Sequence, residues 1–157
     1  IADELRIMAY DYTFQGSSRP GAIAPASWVE EVAIYSAIKA NREKVFLGIP
    51  LYAYEWEYNP EDFKNVRPID ENEILSGTTA RSFGYEGVLS ILEKYEGENY
   101  YDTEIEENIF KYQKDSKDYV VFYHDTRSVN FRKSIAAKYG FAGVYYWRLG
   151  GENGIDF

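Results

Sequence analysis

The 157-residue sequence contains no cysteine, one histidine and one methionine, Met8. Without cysteine there is no disulfide framework and no thiolate metal site, although the compartment stays open. A single histidine argues against a histidine-rich metal centre, and no metal is expected. Basic residues are also short, with Lys+Arg 17 against Asp+Glu 26 and a formal net charge of -9. A nucleic-acid binder would carry a basic stripe, so the acidic balance argues against that class. No apolar run approaches the ~18 residues that a membrane helix needs, so no membrane span is expected. Internal repeats and low-complexity segments are lacking too. The chain opens IADELRIMAYDY, without an initiator methionine or a charged-then-apolar leader, and is expected to lack an N-terminal part.

Apolar and aromatic residues are abundant: 45% hydrophobic, with Trp 3, Tyr 16 and Phe 9. That is too rich for a disordered chain and enough to bury a core. Residues Leu5 to Tyr12 (LRIMAYDY) read as a short buried strand that turns polar at Asp11. Gln15 to Ala24 clusters Gly, Ser and Pro and reads as a loop. Ser27-Trp28-Val29-Glu30 has the form of a capping box, which predicts a helix from about Trp28 to Ala40 stopped near Asn41. Val29, Val32, Ala33, Ser36, Ala37 and Ala40 fall on one face of it. Val45 to Leu51 and Tyr139 to Trp147 are apolar runs without alternation, as in parallel strands buried on both faces. Between them, Asp125 caps a helix to Lys138, with Gly140 just past its end.

The middle differs. Polar loops (Asn59 to Asn72), a helix over Gly84 to Tyr95 and tyrosine-rich strands (YYDTEI, NIFKYQ, DYVVFYH) suggest an α+β insertion. The expected organisation is therefore 1–51 as strands and helix of an α/β unit, 52–123 as the insertion, and 124–157 as a last helix and strand. A complete (β/α)8 barrel takes about 250 residues. The flanks here supply only about three strands, so the chain is either a small α/β domain or the last part of a larger barrel.

Four segments together resemble family 18 glycoside hydrolases, the chitinase-like (β/α)8 barrels. Met8-Ala9-Tyr10-Asp11 is similar to the family's M-x-Y-D on the sixth barrel strand. Leu47 to Trp56 (LGIPLYAYEW) is like its seventh strand, and the α+β insertion follows in order. Gly143 to Glu152 (GVYYWRLGGE) is like its eighth, ending in Trp. PASWVEEV and YHDTRS point to the bacterial branch of cell-wall and spore-cortex lytic N-acetylglucosaminidases. The resemblance implies an α/β fold: the C-terminal portion of a (β/α)8 TIM barrel, about its last three strands, joined in the complete protein to a missing N-terminal barrel half. It implies hydrolysis of β-1,4-linked N-acetylglucosamine polymers, peptidoglycan in preference to chitin, with no cofactor and an extracellular, cell-envelope or spore location. The family's D-x-x-D-x-D-x-E run, which carries the proton donor, is absent. Asp115-Ser116-Lys117-Asp118 begins one by spacing, but Val120 and Phe122 hold the remaining acidic positions.

The resemblance also implies roles. The substrate's own acetamido oxygen acts as nucleophile, an exception to the two-carboxylate scheme. A tyrosine hydroxyl can hold the acetamido carbonyl and a carboxylate can accept from its N–H, which suits Tyr10 and Asp11 as catalytic residues at a barrel strand's C-terminal end. Trp147 would stack under a pyranose and Met8 would shape the pocket floor. Tyr52, Tyr54 and Trp56 alternate and so face one side; sugar stacking and core packing are equal readings for them. Glu55 and Glu152 could bond sugar hydroxyls or pair with Arg148. A structural role is favoured for both, and Glu152 is kept among the substrate-binding candidates with Met8, Trp147, Tyr52 and Tyr54. His124 reads as a solvated or capping residue, and Glu104-Ile105-Glu106-Glu107 as a solvated face. Two rivals stand: a non-catalytic, lectin-like carbohydrate-binding module, and a structural or interaction domain.

Overall fold

The computed structural model describes residues 2–17, 19–60 and 80–157. Most of the expected polar loop from Asn59 to Asn72 lies outside the described residues. A three-stranded sheet is formed by β1 (Leu5–Ile7), β2 (Val45–Pro50) and β8 (Gly143–Trp147), in the order β1-β2-β8. Both pairings are parallel, with Leu5 opposite Val45, Gly48 opposite Tyr145 and Pro50 opposite Trp147. Helix α1 (Ala26–Lys39) connects β1 to β2, and α3 (Thr126–Lys138) precedes β8. The central strand β2 is almost wholly buried, as its unbroken apolar run requires. The outer strands differ from expectation. β1 is only Leu5–Ile7, Leu5 is 43% exposed, and no residue of β8 is fully buried. Among the described residues each has a strand neighbour on one side only, which leaves its outer edge unpaired.

A second, five-stranded sheet is antiparallel throughout. It comprises β3 (Tyr52–Tyr58), β4 (Arg81–Gly84), β5 (Gly97–Asp102), β6 (Glu107–Lys114) and β7 (Lys117–Tyr123), in the order β4-β3-β7-β6-β5. Lys114 pairs with Lys117, and Asp115 and Ser116 between them have φ of 52° and 62°. Positive φ at both positions is the hairpin turn whose twist matches its strands. Helix α2 (Tyr85–Lys94) turns Val88 and Ile91 onto one face of this sheet, beside Phe110, Tyr112, Val121 and Tyr123. The other face carries Tyr54, Trp56, Ile109, Val120 and Phe122, which share a core with Val29 and Ala33 of α1, Leu47 of β2 and Ile135 of α3. The strand β7 is therefore buried on both sides, and that is why its Val-Val-Phe-Tyr run shows no alternation.

The helix ends follow sequence unevenly. Asp125 caps α3: its carboxylate accepts from the Ser128 N–H at 2.9 Å and the Ser128 hydroxyl at 3.1 Å. Gly140, with φ 69°, follows its end. The capping box at Ser27 does not form. The helix starts at Ala26, two residues earlier than expected, with Pro25 at the N-cap and no side-chain cap. The Ala26 N–H is satisfied by the Ile105 carbonyl at 3.1 Å, so a tertiary partner replaces the cap. Glu30 instead accepts from Lys138 and, at 2.8 Å, from the Tyr139 hydroxyl. The helix ends at Lys39, with Ala40 at its C-cap, beside the expected stop at Asn41, and Asn41 itself caps the short 3-10 turn Arg42–Lys44. Two further expectations are corrected by burial. His124 is 2% exposed and Glu107 0%, neither of them solvated. Both belong to an interior ionic cluster with Arg132, because β6 and β7 carry them into the space between the sheet and α3.

Candidate functional site

Parallel strands end on one side, so the chain leaves β1, β2 and β8 at the same end of the sheet. Ala9 and Tyr10 are buried beyond β1, and Asp11 follows with φ 62°, a conformation uncommon outside glycine. Beyond β2, the Leu51 N–H donates to the Trp147 carbonyl at 2.7 Å, which holds the exits of β2 and β8 together. The chain then enters β3 at Tyr52. The Asp11 carboxylate accepts from the hydroxyl of Tyr52 and, at 3.0 Å through the same Oδ1, from that of Tyr54.

These rings form a ladder. Tyr10 meets Tyr52 edge-on at 6.3 Å, Tyr52 meets Tyr54 at 5.1 Å, Tyr54 meets Trp56 at 5.5 Å, and Trp56 meets Phe122 at 5.9 Å. Of the two readings open for Tyr52, Tyr54 and Trp56, Trp56 is pure core, at 0% exposed. Tyr52 and Tyr54 run from that core to the Asp11 carboxylate. Burial, and then the hydrogen bond to Asp11, raise the pKa of both phenols, that of Tyr54 to about 12. Burial likewise raises Tyr10, with the Tyr145 hydroxyl next in effect. All three therefore stay protonated and able to donate.

Tyr145 was not among the residues singled out from sequence. Its hydroxyl lies 3.5 Å from that of Tyr10. Its ring covers Gly48, where a Cβ would come within 2.7 Å of the Tyr145 hydroxyl and of the Ile7 carbonyl. The signal was present: Tyr145 is two residues before Trp147, on the same strand face, opposite a glycine.

The remaining candidates are placed differently. Trp147, at the tip of β8, is 52% exposed, and its peptide bond to Arg148 is cis. Met8 is 70% exposed rather than a pocket floor, since it follows an edge strand with no further neighbour among the described residues. Glu152 accepts from the Gly150 N–H at 2.5 Å, closing the loop after β8 rather than pairing with Arg148. Glu55 holds Arg81 through two bonds, at 2.9 and 3.0 Å, and accepts from Tyr112 at 2.6 Å on the far face of the sheet. The geometry thus gathers Tyr10, Asp11, Tyr52 and Tyr54. Among the described residues, no group of three or more His, Cys, Asp or Glu could hold a metal ion, and no helix is long and apolar enough to cross a membrane.

Comparison with known proteins places this cluster in context. The chain is 27% identical to a "Cortical fragment-lytic enzyme" of Bacillus anthracis over 96% of its length and 32% of that protein. It is 25% identical to the "Uncharacterized glycosylase YvbX" of Bacillus subtilis (strain 168), over 97% of its length and 40% of that protein. The chain spans well under half the length of these curated relatives. Among solved structures, the C-terminal domain of a putative chitinase from Desulfitobacterium hafniense DCB-2 superposes with a TM-score of 0.78 at 30% identity, covering 97% of this chain and 43% of that one. The family described as Glycosyl hydrolases family 18 matches residues 1–152, and the chain belongs to it.

Proposed function

We propose that this chain is the C-terminal portion of a (β/α)8 barrel glycosidase, contributing about its last three strands, with residues 52–123 as an inserted α+β layer. The complete protein would cleave β-1,4-linked N-acetylglucosamine polymers with retention, through attack by the substrate's own acetamido oxygen. The similarity to cortical fragment-lytic enzymes favours peptidoglycan over chitin and a cell-envelope or spore location. Among the described residues β1 and β8 pair on one side only, and the chain spans about a third of the cortical fragment-lytic enzyme it matches; both support the barrel reading.

One observation carries the site: the Asp11 carboxylate at a strand exit, oriented by two phenol hydroxyls and next in sequence to the buried Tyr10. Tyr52 and Tyr54 occupy one carboxylate oxygen, which leaves the other to accept from an acetamido N–H. Tyr10 would donate to the acetamido carbonyl. Holding that group curled beneath the sugar brings its oxygen to the anomeric carbon, which is catalysis by positioning. Trp147 would supply a flat face for the pyranose, with Met8 and Glu152 at the margin. The proton donor is not in this chain, which is read as inactive by itself.

The rival reading is a lectin-like module, which would hold the sugar through the same residues without turnover. Kinetics of the full-length protein decide. Asp11→Asn is expected to lower turnover of a chitobiose reporter by about 100-fold or more while the protein stays folded. Wild-type turnover in that variant would overturn the site assignment. Tight oligosaccharide binding without turnover in the wild type would favour the module.

A further inference from the structure

We infer that Glu107, on β6 of the antiparallel sheet, is a positioning residue for Asp11, acting through a clamp on the backbone of residues 23 and 24. The inference rests on the reading of Asp11 just given. Glu107 and Arg132 are both 0% exposed and His124 is 2% exposed. A carboxylate is tolerated in such an interior only when paired and hydrogen-bonded. Glu107 is both. Its Oε1 accepts from the Ala24 N–H at 2.7 Å and its Oε2 from the Ile23 N–H at 3.0 Å. Arg132 donates to Oε1 at 3.2 Å and to the Ala24 carbonyl. His124 Nε2 lies 3.4 Å from the same oxygen. Arg132 is held in turn by the carbonyls of Ser128 at 3.0 Å and Glu106 at 2.8 Å.

The clamp leads to the site. Ile23 is gripped on both edges: its N–H by Glu107, and its carbonyl by the Tyr12 N–H at 2.9 Å. The next rung joins the Thr13 N–H to the Ala22 carbonyl at 3.1 Å. Tyr12 directly follows Asp11, so these rungs fix the backbone on which the left-handed Asp11 sits. The rungs cannot slip easily. Thr13 is 1% exposed and lies against Gly21, where a Cβ would come within 2.6 Å of its hydroxyl. The antiparallel sheet therefore sets Asp11 twice. Its strand β3 holds the side chain through Tyr52 and Tyr54, and its strand β6 holds the backbone through residues 22 to 24.

Glu107→Gln keeps the shape but loses one of the two acceptors, turning an N–H of the carboxamide toward a backbone N–H. The test is a double-mutant cycle in the full-length protein: wild type, Glu107→Gln, Asp11→Asn and the double variant, assayed with a chitobiose reporter below their unfolding temperatures. Glu107→Gln is expected to lower kcat by up to about 100-fold, because a displacement of about 1 Å can cost that much, with KM changed less. In the Asp11→Asn background the same substitution is expected to change kcat by about twofold at most. An equal loss in both backgrounds would show a merely structural role and overturn the proposal. So would wild-type kinetics in Glu107→Gln alongside a loss in Asp11→Asn, which would leave the site reading intact. Wild-type turnover in Asp11→Asn would instead remove both. Should Glu107→Gln fail to fold, Gly21→Ala disturbs the same rungs from the opposite side. It must show the same non-additivity with Asp11→Asn, and additive losses would overturn the proposal.

Discussion

The Asp11 carboxylate takes two hydroxyl donors from alternate residues of one strand, Tyr52 and Tyr54. Because burial keeps both phenols protonated, the pair acts as a fixed fork at any working pH. Trp147 is a half-exposed indole at the tip of β8, for which a sugar-stacking role is proposed. In the complete protein, Trp147→Ala is expected to weaken chitooligosaccharide binding by about 1–3 kcal/mol, by analogy with base stacking on aromatic rings. Isothermal titration would check it, and unchanged affinity would remove the stacking role. At this scale the sequence was informative where residues are neighbours along the chain. Tyr10 and Asp11 could be read together, and the alternation of Tyr52, Tyr54 and Trp56 could be read as one face. Tyr145 and Glu107 were missed, because their importance lies in what stands across a sheet or a core. A glutamate in an acidic run looks solvated until the strand carrying it is seen to turn inward.

Elements were legible where local hydrogen bonding decides them. Asp125 caps α3 through Ser128, as its position before the helix suggested. Asp125→Ala should therefore cost about 1 kcal/mol of stability, while Ser27→Ala should be close to neutral, since Ser27 caps nothing. Urea titrations of the two variants would check this pair, and equal losses would contradict it. Sequence reasoning failed at the start of α1 because two groups far along the chain intervene: the Ile105 carbonyl accepts from the Ala26 N–H, and Lys138 donates to the Glu30 carboxylate that the capping box would have used. Parallel strands were recognisable from β2, the central strand of the three-stranded sheet. The β1 run announced a short buried strand and the β8 run two buried faces, and among the described residues each has one strand neighbour.

For the molecule as a whole, the two sheets share one core, and the ionic cluster of Glu107, His124 and Arg132 lies in it. Its titration links stability to pH. Burial and the Arg132 charge hold the His124 imidazole below its ordinary value of 6.5. Burial pushes the Glu107 carboxyl up, but His124, Arg132 and the Ala24 N–H more than offset it and hold it below the carboxylate range. Both groups bind protons more readily when unfolded, so both contribute stability that is complete above pH ~6.5 and lost as pH falls. The unfolding temperature should decline from pH 7 to pH 5, and His124→Gln should flatten that slope. A slope unchanged by the substitution would contradict the buried, neutral imidazole. The central claim is that three strand exits, with the antiparallel sheet bracing one of them, form one side of a carbohydrate-holding cup. A crystal structure of the full-length protein with a bound N-acetylglucosamine oligomer tests this most directly. The account predicts an acetamido group within about 3 Å of Tyr10 and Asp11 and a sugar ring over Trp147; an oligomer bound elsewhere, with those side chains untouched, would contradict it.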